Sequence, residues 1–213
     1  MDVLRELLSF FLHLDDALKE ITAAYGVWTN VILFLIIFCE TGLVVTPFLP
    51  GDSLLFATGA IAADPASGLN PYVLFVILII AAIVGDSVNY AIGRRFGMRI
   101  LDWNLPFVKA EHIEQANVFY AKHGSKMIVL ARFAPFVRTF APFVAGIARM
   151  DYKVFFTYNV VGAVLWVGIF IWAGYFFGQL PFVAENFELV ALAVVFLSVL
   201  PIVWEYIMAR RKK

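Results

Sequence analysis

Charge is scarce in this sequence. Only 15% of its 213 residues are Asp, Glu, Lys or Arg, while 62% are hydrophobic and 16% aromatic; soluble domains carry roughly 25% charged residues. Apolar runs of about twenty residues exclude an ordinary soluble domain and indicate a helical integral membrane protein. The 16 basic residues balance the 16 acidic ones, so net charge argues for no polyanionic partner and against nucleic acid. Cys39 is the sole cysteine. That excludes a disulfide framework and a cysteine metal cluster, and a small hydrophobe in apolar sequence is the reading of Cys39. His13, His112 and His123 show no ligand spacing, so neither a metal site nor a cofactor is expected. Acidic residues and His13 interrupt the N-terminal stretch, which does not read as a secretory signal.

What is present is organised around Glu40 to Asp52, ETGLVVTPFLPGD. The stretch lies between two apolar runs, yet it begins and ends with a carboxylate and carries Pro47, Pro50 and Gly51. Two prolines three apart stop a helix. Backbone freed in hydrocarbon costs several kcal/mol unless protein or trapped water satisfies it, so a break at membrane depth lines a protected cavity. An ionisable side chain there is a functional candidate.

In chain order, residues 2–24 have helical spacing with one charged and one apolar face, as in an interfacial amphipathic helix, and Trp28 follows as an interfacial anchor. Val31–Cys39 is too short to cross before the break, so the chain is expected to turn at residues 46–51 and return through Asp52–Ala63 as a re-entrant hairpin. A span over Tyr72–Ile92 is expected to end at Gly93-Arg94-Arg95, with Asp86, Asn89 and Tyr90 near its inner end. Residues 106–123 form a second amphipathic stretch. Residues 127–146 form a second broken segment, with Pro135 and Pro142 as breakers and Arg132 and Arg138 as its charges. Tyr152–Gln179 is another span, in which Gly174 and Gly178 suit close helix packing. A final span over about residues 189–209 ends in Arg210-Arg-Lys-Lys213, which sets the C-terminus in the cytoplasm.

The order repeats. Amphipathic helix, broken hairpin and span fill residues 2–93 and again 106–179, and odd parity inverts the second copy. The whole is one membrane domain, an inverted-topology repeat plus one C-terminal span. Interrupted segments at matching positions point to a transport site. Glu40 and Asp52 are expected to face Arg132 and Arg138 across the repeat axis, since a lone charge at the bilayer centre costs about 2.5–3.5 kcal/mol. A static ion-pair cluster fixing the hairpins together is the plainer alternative. Asp86, Tyr90 and Asn159 are secondary site candidates: Asp86 suits either a transport role or pairing with nearby arginines, and packing and anchoring is the plainer reading of Tyr90, Asn159 and Trp166.

The chain resembles the DedA family, also described as carrying a SNARE-associated or VTT domain. The resemblance rests on Glu40…Pro47…Pro50-Gly51-Asp52, on Gly85-Asp86…Tyr90…Gly93-Arg94…Gly97, and on Phe119…Gly124…Arg132-Phe-x-Pro135…Arg138…Ala145-Gly146…Met150…Phe155…Asn159…Gly162…Trp166. It covers residues 25 to 180. It implies a bacterial inner-membrane protein that returns undecaprenyl phosphate from the outer to the inner leaflet, with a further link to the proton motive force, and dependence on Glu40, Asp52, Arg132 and Arg138.

The chemistry of these residues fits that expectation. Arginine is a permanently charged planar fork suited to phosphate oxygens, so Arg132 and Arg138 are the phosphate-binding candidates. A carboxylate out of water holds a proton more readily, so Glu40 and Asp52 are the candidates for proton coupling. Asp52 with hairpin carbonyls is equally a sodium candidate. The partners expected are a polyprenyl phosphate, membrane lipids and a proton or sodium ion; the sequence sets no oligomeric state. A small-ion transporter and an uncoupled scramblase are the other readings. No nucleophile–base pair stands out, so an enzyme is not expected.

Overall fold

The computed structural model describes residues 14–43, 51–102, 124–186, 189, 190 and 193. Pro47 and Pro50, the amphipathic stretches at residues 2–13 and 106–123, and nearly all of the final span lie outside them.

Helix α1, Leu14–Tyr25, passes into a 3-10 turn at Gly26–Trp28, where Gly26 has φ +52°. The amide of Thr29 continues the helical hydrogen bonding to Gly26 O and Val27 O, and α2 runs over Thr29–Gly42. This changes the expectation for the first hairpin limb. Val31–Cys39 alone is short, but the 3-10 turn joins it to α1, so Leu18–Gly42 becomes 25 residues, long and apolar enough to cross a membrane. Trp28 is exposed, in keeping with an interfacial anchor.

Helix α3, Gly51–Ala62, has every residue buried. Gly51 opens this helix. A short loop follows, with Asp64 Oδ1 accepting from Ala66 N at 2.9 Å and Gly68 in the left-handed region at φ +67°. Asn70 Oδ1 then caps α4 by accepting from Tyr72 N at 2.9 Å, and Pro71 sits at the first helical position, where its missing N–H removes no bond. Helix α4 spans Pro71–Asp102, ten residues past the expected end. Gly93 does not stop it, because that position is a helix contact. A Cβ there would meet Phe143 O at 2.1 Å.

The second broken segment contains α5, Met127–Ala131, and α6, Pro135–Ile147. The break falls at residues 132–134, and Pro135 opens α6 at its first turn. Pro142 lies within α6 and does not end it, contrary to its expected role. It denies Arg138 O a helical donor, but the turn is held from outside: Asn89 Nδ2 donates to Thr139 O at 2.8 Å. Helix α6 closes with Met150 N to Ala145 O at 3.0 Å and Arg149 at φ 52°. Asp151 Oδ1 accepts from Lys153 N at 2.9 Å to start α7, Tyr152–Phe177. A short α8, Pro181–Glu185, follows.

Leu18–Gly42, Pro71–Phe96 and Tyr152–Phe177 are the helices long and apolar enough to cross a membrane among the described residues. Their outer faces carry exposed apolar side chains at helical spacing, such as Tyr72, Val76, Ile80 and Val84 on α4. The opposite stripe of α4 holds Leu74, Leu78, Ala81, Ala82, Asp86, Asn89 and Tyr90, all buried. Apolar outside and partly polar inside is the pattern of a helix solvated by hydrocarbon.

The chain divides into two compact units. Met1–Leu35, Phe48–Leu78 and Trp166–Lys213 bound the first; Ile36–Pro47 and Ile79–Leu165 bound the second. In the first, α3 and the C-terminal half of α7 meet at backbone contact. A Cβ on Gly59 would lie 2.1 Å from Ile171 O, and one on Gly174 would lie 1.9 Å from Phe56 O. In the second, α6 meets the middle of α4 in the same manner, with Gly146 against Tyr90 O and Gly93 against Phe143 O. The core here gathers Tyr90, Ile128, Ala145 and Phe155, with Met150 and Tyr158 at its edge.

Candidate functional site

Among the described residues, the second unit buries four charges. Glu40 ends α2, Asp86 sits on the inner stripe of α4, Arg132 occupies the α5–α6 break and Arg138 lies on α6. Their exposures are 2%, 5%, 3% and 8%. Removing one such ion from water costs several kcal/mol, so they persist only as hydrogen-bonded partners. Arg138 Nη2 donates to Glu40 Oε1. Arg132 Nη2 donates to Asp86 Oδ2 and to Asn159 Oδ1, the latter at 2.6 Å.

Local backbone chemistry puts these groups in place. The break at residues 132–134 lets Arg132 leave the helical register, and Gly162 on α7 leaves it room. A Cβ on Gly162 would stand 3.3 Å from Arg132 Nε. Helices α2 and α4 cross where Gly42 meets Gly85; a Cβ on Gly85 would lie 1.9 Å from Thr41 Oγ1. That close approach brings Glu40 and Asp86 into the same unit core. Asn89 completes the frame: its Nδ2 donates to Thr41 O at 3.1 Å, in the last turn of α2 where carbonyls lack helical partners, and to Thr139 O on α6. One amide thus ties three helices around the two ion pairs.

Of the expected opposition of Glu40 and Asp52 to Arg132 and Arg138, the Glu40–Arg138 pair is present. Arg132 meets Asp86, while Asp52 belongs to the first unit, where its Oδ1 accepts from Trp166 Nε1 at 2.8 Å. Asp52 is 3% exposed and lies in the first turn of α3, whose partial positive charge favours a carboxylate. Trp166, read from sequence as packing, is also a buried hydrogen-bond donor.

Tyr90 is structural. Its hydroxyl donates to Met150 O, and its ring stacks on Phe155 at 4.5 Å between centroids. Asn159 joins the network through both ends of its amide, with Nδ2 donating to Ile83 O at 3.1 Å. Sequence reading understated Asp86, Asn89 and Asn159. The signal was present in the small residues flanking them, Ala81, Ala82 and Gly85 on α4 and Gly162 on α7, which mark a polar stripe facing inward.

This arrangement holds two buried guanidinium groups in a low-dielectric setting, each hydrogen-bonded to a carboxylate. A guanidinium fork can hydrogen-bond the oxygens of a carboxylate or of a phosphate. Among the described residues no group of three His, Cys, Asp or Glu is placed to hold a metal ion.

The comparisons agree with this anatomy. A family model described as the VTT domain matches residues 49–176. Protein DedA of Escherichia coli is 52% identical over 212 residues, covering 99% of this chain and 97% of that protein. A membrane protein of Mycobacterium tuberculosis is 42% identical over 182 residues, with 84% of this chain and 80% of the relative covered. Inner membrane protein YqjA of Escherichia coli is 36% identical over 152 residues, with 70% and 68% covered. No solved structure matches. This chain belongs to the VTT-domain family of membrane proteins that includes Escherichia coli DedA.

Proposed function

We propose that this protein is a carrier for an anionic lipid, undecaprenyl phosphate, which it returns from the outer to the inner leaflet of the bacterial inner membrane. The observation that carries this reading is the pairing of two buried arginines with two buried carboxylates within the second unit. Arg132 and Arg138 bind the phosphate; protonating Glu40 releases Arg138 to it, and deprotonation expels it. The polyprenyl tail stays in the lipid. The protein acts as a carrier and not as an enzyme.

Two features support an inverted repeat of re-entrant hairpins as the framework. Each unit contains a short helix packed glycine-first on a long one, Gly59 with Gly174 and Gly146 with Gly93. A charge also stands near the start of each of these short helices, Asp52 on α3 and Arg138 on α6. Asp52 is the second coupling candidate, for a proton or for sodium. The C-terminus is cytoplasmic in this scheme.

The test is undecaprenyl phosphate translocation in vesicles of purified protein, with and without a pH gradient, for wild type and Glu40→Gln. Gradient-sensitive movement lost in Glu40→Gln supports the coupled carrier. Movement indifferent to both would make the protein an uncoupled scramblase. No movement, with internal pH still shifted, would make it a small-ion transporter.

A further inference from the structure

Asn159 stands at a position where an acid would bind Arg132 more strongly. Its Oδ1 accepts from Arg132 Nη2 at 2.6 Å, and its Nδ2 donates to Ile83 O at 3.1 Å. The second bond decides which end of the amide meets the arginine, because only the nitrogen can serve a backbone carbonyl. The side chain is fully buried, so its orientation is set by protein groups. Aspartate has almost the same shape and would keep the contact to Arg132. It would also change the charge balance. Among the described residues, the buried charges of the second unit are Glu40, Asp86, Arg132 and Arg138, two of each sign. A third carboxylate would make the network net negative and would repel an oxyanion.

We infer that Asn159 is a positioning and specificity-determining residue: it fixes Arg132 through a neutral acceptor, so the buried network can take up a phosphate that a second carboxylate beside that arginine would exclude. Asp86 supplies the one counter-charge from α4, and Asn159 supplies orientation from α7. The division follows from the two acceptors on one nitrogen, Nη2, contributed by different helices.

The test is a charge swap in the full chain. Asn159→Asp, Asp86→Asn and the double variant are compared with wild type for melting temperature and for undecaprenyl phosphate movement in vesicles. The transport readout rests on the lipid-carrier reading, whereas the melting temperatures do not. Asn159→Asp is expected to lower transport by about tenfold or more, through excess buried charge, and Asp86→Asn to lower it by leaving Arg132 without its counter-charge. The double variant restores neutrality with the carboxylate moved to α7. It is expected to recover transport to within about threefold of wild type and to melt above both single variants, because the two sites share one partner and are not additive.

Additive loss in the double variant, in melting or in transport, overturns the inference. So does an Asn159→Asp protein that melts and transports like wild type. If Asn159→Asp fails to fold, the double variant decides: a folded, active double supports the inference, and an unfolded or inactive one refutes it. If wild type moves no lipid, the carrier reading fails, and the melting cycle still tests the role of Asn159.

Discussion

Replacing Gly174 by alanine should separate two helices that nothing else in the first unit can separate cheaply. The new Cβ would stand 1.9 Å from Phe56 O, 2.8 Å from Phe56 C and 3.0 Å from Ala60 N, all of them backbone atoms of α3. No rotamer change relieves that overlap. A carbon–oxygen contact needs about 3.3 Å, so α3 and α7 must part by roughly 1.4 Å. A gap of this size forfeits a large part of the dispersion across the contact, and overpacking of this kind costs about 1–3 kcal/mol. It also stretches Gln179 Nε2–Ala60 O and Trp166 Nε1–Asp52 Oδ1, both 2.8 Å, worth about 1 kcal/mol and, for the bond to a carboxylate, about 1.5–3 kcal/mol. Alanine returns about 1 kcal/mol of helix propensity. The net loss is about 2.5–6 kcal/mol, or roughly 5–24 °C in melting temperature.

The control lies on the same helix. A Cβ on Gly168 would meet only Phe75 Cε2 at 3.4 Å and Cζ at 3.9 Å, ordinary contacts. Gly168→Ala should therefore be neutral or raise stability by up to about 1 kcal/mol. Thermal unfolding of the purified protein in one detergent compares the two. The packing argument is refuted if Gly174→Ala melts as high as Gly168→Ala.

Glu40→Gln removes the carboxylate that faces Arg138 and should destabilise by about 3–5 kcal/mol; Glu40→Gln/Arg138→Gln should recover much of that in a denaturation cycle, and simple additivity would contradict the pairing. Trp166→Phe keeps the ring packing but deletes the donor to Asp52, and should cost about 1.5–3 kcal/mol for a hydrogen bond to a charged group; an unchanged melting curve would show that the indole N–H does not hold Asp52. Arg149 holds φ 52° at the end of α6, a conformation that costs a non-glycine residue about 1 kcal/mol or more. Arg149→Gly should therefore raise the melting temperature, and a fall would mean that the arginine side chain has a stabilising role of its own.

The starts of α4 and α7 are legible in the residues because their causes are local. Asn70-Pro71 and Asp151 are cap signals directly before apolar runs, and they begin α4 and α7. Arg132, Arg138, Glu40 and Asp52 were visible as charges set in apolar sequence, and all four are buried. What spacing does not carry is partnership across helices. Asp86 is 46 residues from Arg132 and Trp166 is 114 from Asp52; those pairs depend on where α4, α5 and α7 cross.

The same limit explains the other differences. Gly93 reads as a helix stop, yet it is a close-approach point against Phe143. Pro142 reads as a breaker because a proline removes a helical bond, and Asn89 from another helix helps hold the turn. Val31–Cys39 reads as too short to cross, but the 3-10 turn at Gly26–Trp28 passes hydrogen bonding on to α2 and lengthens the first span. In each case a tertiary contact, or a turn that continues the helix, overrides the local preference.

The central claim is that Arg132 and Arg138 carry a lipid phosphate through the second unit. The most direct measurement is the rate of undecaprenyl phosphate translocation in vesicles containing purified protein, wild type against Arg138→Ala and Arg138→Lys. The account predicts movement well above empty vesicles for wild type, none above background for Arg138→Ala, and partial movement for Arg138→Lys, which keeps the charge but loses the planar fork. Arg138→Ala protein that is folded and moves the lipid at the wild-type rate would contradict it.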